Sequence, residues 1–170
     1  MHVAVEDPAV LRLAELPPSA LPLLVSRYGL DLVVLADGQP ITGSFWGEPE
    51  AGIVGTALFV RGDTPLHSAL HELCHLACMT AVRRAALVKD AGGDAAEECA
   101  VCYLQILLAD EIAGVGRERL MGDMNRWGYN FRLGSTERWF ADDAHDAGQW
   151  LREHALLDSD GRLTWRLREA

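Results

Sequence analysis

Apolar positions recur every three to four residues through 66–82, 95–111, 117–127 and 135–154, the spacing of helices with one inward face. Before residue 62 the pattern is different. A short helix is expected from Pro8 to Leu16, stopped by Pro17-Pro18, and a second from Leu21 to Arg27, ended by Gly29. Leu30 to Ala36 reads as a strand, Asp37-Gly38 as a hairpin turn, and Ile41 to Trp46 as the returning strand. Ile53 to Arg61 reads as the strongest strand. Thr64 is the expected N-cap of a long helix with Pro65 at its first position, running to about Val82. Arg83 and Arg84 sit where cations suit the helix dipole, with substrate charge recognition as their alternative role. Gly92-Gly93 breaks the chain, and Asp94 caps the next helix. Leu163 to Leu167 suggests a last strand. The expected fold is α+β: a small, mostly antiparallel sheet packed on a helical set. The expected organisation is one domain, 1–170, with an N-terminal part (1–62), a central helix pair (63–112) and C-terminal helices (113–170).

The 170 residues are 49% hydrophobic and 24% charged, which suits a globular chain with a real core. The net charge of −10 argues against nucleic acid and anionic membrane surfaces as partners. No apolar run reaches the roughly 18–20 residues of a membrane span. Met1 to Pro8 lacks the basic and apolar regions of a secretory signal, so a cytoplasmic location is expected. The four cysteines, at 74, 78, 99 and 102, do not resemble a secreted disulfide framework. They are read as reduced, buried thiols; a second metal site or a redox disulfide are the alternatives.

The chemistry is concentrated in His71-Glu72-Leu73-Cys74-His75, an H-E-x-x-H sequence in mid-helix. Residues four apart lie on one helix face, so both imidazoles can reach one metal ion. Glu72, about 100° round the helix, can act on a water beside that ion as general base. A catalytic zinc needs a third protein ligand, and Glu97-Glu98 supplies two candidates. Glu97 shares an apolar stripe with Val101, Leu104 and Leu108. A carboxylate there needs a partner, and a metal would serve. Glu98 shares a face with Asp94 and Gln105, which reads as solvated. Glu97 is therefore the expected ligand. If it is instead the N3 residue of a capping box with Asp94, Glu98 takes that role.

An H-E-x-x-H helix followed by a helical glutamate resembles the gluzincin, thermolysin-like zinc metallopeptidases. In that family the third ligand often stands in E-x-x-[A/S]-[D/N]. Glu97 and Ala100 match, and Val101 departs from it. The likeness covers about Ile53 to Asp110. It implies a small zinc peptidase acting on a peptide or protein, with Glu72 as base and one further donor at the oxyanion. The substrate would lie along the sheet edge formed by Ile53 to Arg61. Two histidines and a carboxylate are also the ligands of non-haem iron oxygenases. Ala57 to Arg84 is similar to the elongation factor P hydroxylases, which implies Fe²⁺ instead. A third reading is an inactive metallopeptidase-like binding module.

Other side chains carry less. His67 is either a solvated residue at the helix start or a group supporting the site. His145, His154, Tyr129, Asn125 and Arg126 are candidate donors to an oxyanion, with packing or surface roles as the alternative. The five tryptophans show no stacking stripe, and Asp158 to Gly161 reads as a plain turn.

Overall fold

The structure, a computed structural model, describes residues 9–170. The start of the expected first helix at Pro8 lies outside the described residues. Before the two prolines the described residues make a single 3-10 turn, Leu13–Glu15, and no helix of greater length. Helix α1, Ala20–Arg27, buries Leu21, Leu24 and Val25 and ends at Gly29, whose φ of +69° favours glycine. Strand β1, Asp31–Leu35, comes next, as expected.

The expected hairpin does not form, and Ile41–Trp46 is not a strand. Pro40, Gly43, Ser44 and Gly47 instead bend this stretch into turns. Ile53 to Arg61 is likewise not one strand. It folds at Gly55-Thr56 into β2, Gly52–Val54, and β3, Ala57–Arg61. The sheet order is β1-β3-β2. β3 pairs in parallel with β1 from Asp31–Ala57 to Leu35–Arg61, and antiparallel with the shorter β2. The sheet is therefore mixed, not mostly antiparallel, within the α+β architecture. Segment 42–44 lies directly on β2. The Ile53 N–H donates to the Gly43 carbonyl at 3.4 Å, and a Cβ at Gly52 would collide with the backbone of Thr42 and Ser44.

Helix α2, Leu66–Cys78, carries the two histidines. Thr64 does not cap it. Its hydroxyl accepts from the Arg61 N–H at 2.9 Å and turns the chain out of β3. Every residue of α2 is buried except His71, which is partly so. The helix ends at Cys78, short of Val82, because Thr80 caps a new helix, α3, Ala81–Ala85. Arg84, buried, donates to the carbonyls of Leu76 (2.7 Å) and Met79 (2.8 Å). It thereby satisfies groups that the end of α2 leaves open.

Helix α4, Ala95–Ala109, folds back on α2. Their interface buries Leu70, Leu73, Leu76, Leu104 and Leu108 completely; each such side chain contributes about 1.5–3 kcal/mol. Helix α5, Gly116–Trp127, ends at Gly128 with φ +104°. The expected fourth long helix is two, α6, Thr136–Asp142, and α7, His145–Glu153. α6 packs on α5 and α7 on α4, which one straight helix would not do. Leu163–Leu167 is not a strand; Leu163 makes only an isolated bridge to Leu157. Among the described residues, no helix is long and apolar enough to cross a membrane.

Candidate metal centre

His71 and His75 stand one above the other on α2, their Nε2 atoms 3.1 Å apart. Across from them α4 presents Glu98. One carboxylate oxygen is 3.0 Å from His71 Nε2 and the other 3.2 Å from His75 Nε2. The expectation for Glu97 is corrected here: its carboxylate is not at the histidines. It is buried, and its partner is Arg83, whose Nη1 donates to both oxygens at 2.9 and 3.0 Å. Arg168 stands 3.6 Å away. A buried Glu97 does need a cation, and an arginine supplies it. Glu97 is the N3 residue, its N–H donating to Asp94 at 2.9 Å. The carboxylate lies against Gly93, where a Cβ would strike it.

The α4 face toward the histidines is Glu98, Cys102 and Gln105, at i, i+4 and i+7. Gln105 is fully buried, not solvated. Its Nε2 donates to the His67 carbonyl at 3.2 Å, which fixes its Oε1 toward His71 Nδ1 at 2.6 Å. A carbonyl oxygen only accepts, so Nδ1 carries the proton. In neutral His71 a lone pair therefore stands on Nε2, facing the site. Residue spacing alone does not reveal this support. Its one signal in the sequence is a polar residue seven positions after a glutamate within an apolar run.

Burial would raise the Glu98 carboxyl, but its contacts with His71 and His75 outweigh that and hold it well below the usual carboxylate range. Glu72 is also buried, and burial pushes its carboxyl up, moderated by both histidines. One of its oxygens lies within 4.8 Å of a nitrogen of each imidazole. Cys102 Sγ lies equally close to His71 and Glu98. All four thiols are free, and the cysteines form no separate metal-holding group among the described residues.

His67 is not solvated: it is 1% exposed, and burial pulls it down to about 3, so it stays neutral. Its Nδ1 meets the Tyr129 hydroxyl at 3.1 Å. Burial pushes Tyr129 well above its usual range, and its ring stands edge-on to His71. Asn125 serves Thr136 and Glu137, and Arg126 pairs with Asp123. His145 and His154 lie at α7 and its end, and neither lines the cleft that holds His71. His154 bonds the Trp150 carbonyl at 2.8 Å.

The site opens at the join of two hollows, about 340 Å³ and 170 Å³, both bordered by His71, Glu72, Glu98 and Trp46. Glu50, Ser68, Trp127 and Tyr129 complete the larger one; Phe45, Lys89 and Asp90 border the smaller. The sheet edge is not the expected one. β3 is the central strand, and the outer edge of β2 is already met by Gly43. No family model, curated protein or solved structure matches this chain at a significant level.

Proposed function

We propose that the protein is a metal-dependent hydrolase, most simply a zinc peptidase, with His71, His75 and Glu98 as ligands and Glu72 as general base. One observation carries the reading. Two imidazole Nε2 atoms and a carboxylate converge within 3.0–3.2 Å of one another, and the Gln105 contact leaves a lone pair on one of them. Without a metal the set is held by a proton: burial opposes charge on His71, but Tyr129, Cys102 and Glu98 raise its pKa well above the usual range, and a divalent cation can take that proton's place. Tetrahedral bonds of about 2.0–2.1 Å space their donors by about 3.3–3.4 Å, close to what these side chains offer.

A zinc ion held there supplies Lewis acidity and a water of lowered pKa. Glu72, on the cleft wall, takes a proton from the attacking water and passes it to the leaving nitrogen. Its burial, which raises its affinity for a proton, suits that exchange. Gln105 keeps the His71 ring in one tautomer and one orientation.

The second reading, an iron-dependent hydroxylase, has one observation of its own. Cis ligands at about 2.1 Å in an octahedron lie about 3.0 Å apart, which also matches these donors. Glu72 favours hydrolysis, because an oxygenase triad needs no base there. Elemental analysis of wild type and His71→Ala, with peptide hydrolysis by wild type and Glu72→Gln, tests the proposal. The expected result is one zinc per chain, lost in His71→Ala but kept in Glu72→Gln. The Glu72→Gln variant should lose hydrolysis by about 10²–10⁴-fold. Stoichiometric iron in place of zinc, or equal hydrolysis by both proteins, would overturn it.

A further inference from the structure

The larger hollow beside the histidines is rich in carboxylates. Glu50, Glu72 and Glu98 border it, with no lysine or arginine among its lining residues. Glu72 and Glu98 are committed to the site just described. Glu50 is not. It stands on the segment that leads into β2, and that segment is anchored to α2 where the Ala51 N–H donates to Ser68 Oγ at 3.0 Å. Glu50 Oε1 is held by the Trp127 indole N–H at 2.8 Å. Its Oε2 takes no hydrogen bond from the described residues. The carboxylate is thus fixed in position, half-withdrawn from water, with one oxygen open to the hollow. Burial pushes its pKa up, partly offset by the Trp127 hydrogen bond and by His71.

Trp46, 74% exposed, borders the same hollow. One side of the indole meets the edge of Phe45, with ring centres 5.0 Å apart. An exposed indole and a held carboxylate on the border of one hollow favour a cation: the ring face attracts it, and the carboxylate accepts its hydrogen bond. A neutral donor gains only a weaker hydrogen bond there, and an anion is repelled.

Resting on the hydrolase reading, we infer that this hollow is a subsite for a positively charged group of the substrate, an ammonium or guanidinium seated between Glu50 Oε2 and Trp46. The group belongs to a peptide, as either its terminal amine or a basic side chain. The carbonyl to be attacked then lies toward the two histidines, within the same hollow. Ser68 and Glu72, one turn apart on α2, line the path between.

The test uses zinc-loaded protein and calorimetry at low ionic strength. The probes are Nα-acetyl-lysinamide (side-chain cation only), norleucinamide (terminal cation only) and Nα-acetyl-norleucinamide (no charge). At least one cationic probe should bind about tenfold tighter than the neutral one, the worth of one charged hydrogen bond. Which cationic probe binds identifies the source of the charge. Glu50→Gln keeps the oxygen that Trp127 needs and should abolish the preference. Trp46→Ala, at an exposed position, should weaken it. The preference should also shrink as salt is raised. Equal binding of all three probes to wild type, or an undiminished preference in Glu50→Gln, overturns the inference. Zinc content is measured on the same samples. Retained zinc with no charge preference sinks this inference alone. Absent zinc with the preference intact sinks the metal assignment and leaves the cation subsite standing.

Discussion

Gln105 offers the sharpest test of the site, because it touches no substrate and no proposed ligand atom. Gln105→Leu replaces it with an apolar side chain of similar size. Two contacts are lost: the 2.6 Å bond to His71 Nδ1 and the 3.2 Å bond to the His67 carbonyl. The His67 carbonyl lies in a buried contact and recovers no partner from water, while His71 is only partly withdrawn from it. Each unsatisfied group costs about 1–3 kcal/mol, and the two together should lower stability by about 2–4 kcal/mol. The effect on metal is separate. Without the carbonyl oxygen the His71 proton is no longer pinned to Nδ1, and the ring loses its orientation. Loss of such support weakens metal binding by about 10–100-fold, equivalent to about 1.4–2.7 kcal/mol. Competition with a chromophoric chelator measures the affinity, and urea unfolding of the metal-free protein measures the stability. Unchanged zinc affinity in a folded Gln105→Leu protein would refute the claim that this glutamine prepares His71 for a metal.

The two neighbouring glutamates should separate cleanly. By elemental analysis and urea unfolding, Glu98→Ala should abolish metal binding and lower the stability of the metal-free fold only modestly, because the ion contacts it loses involve a half-exposed side chain. Glu97→Ala should keep the metal but destabilise the fold by about 1–3 kcal/mol, less than for a fully buried ion pair because the Arg83 side chain is 34% exposed. Tyr28 is buried with an unpartnered hydroxyl, and burial raises its pKa well above 10. The folded state therefore holds that proton longer than the unfolded chain does. Its contribution is intact below about pH 10 and falls above it, by at most about 1.4 kcal/mol per pH unit. Tyr28→Phe should flatten that alkaline decline without loss at pH 7; a steeper decline in the variant would contradict this. A thiol reagent at pH 8 should modify one cysteine per native chain, Cys99, and four after denaturation, since Cys74, Cys78 and Cys102 are buried.

The helical half of the chain is readable because its signals are local. Asp94 caps α4, Gly128 closes α5, and the apolar spacing of both helices survives folding. The β part is not, because its pairing is decided far away in sequence. β1 could join Ile41–Trp46 by the shortest route, yet pairs with β3, whose alternate side chains Leu58 and Val60 fill the core. The choice between Glu97 and Glu98 fails for a similar reason. Both are sound candidates, and the answer lies with Arg83, a residue that the sequence places at the end of the wrong helix. Gln105 carries only the apolar run around it as a mark of burial, and nothing nearby in sequence says that His67 and His71 would close over it.

A helix enclosed on every side, as α2 is, makes a rigid floor. Its residues are committed to neighbours and have little freedom to change shape or identity. On the proposed hydrolase reading, substrate preference would be set at Phe45 and Trp46, two large exposed rings on the rim, since Glu48 and Glu50 beside them are tied to Arg61 and Trp127. Replacing those two rings should then alter selectivity while the zinc content of the floor beneath stays unchanged.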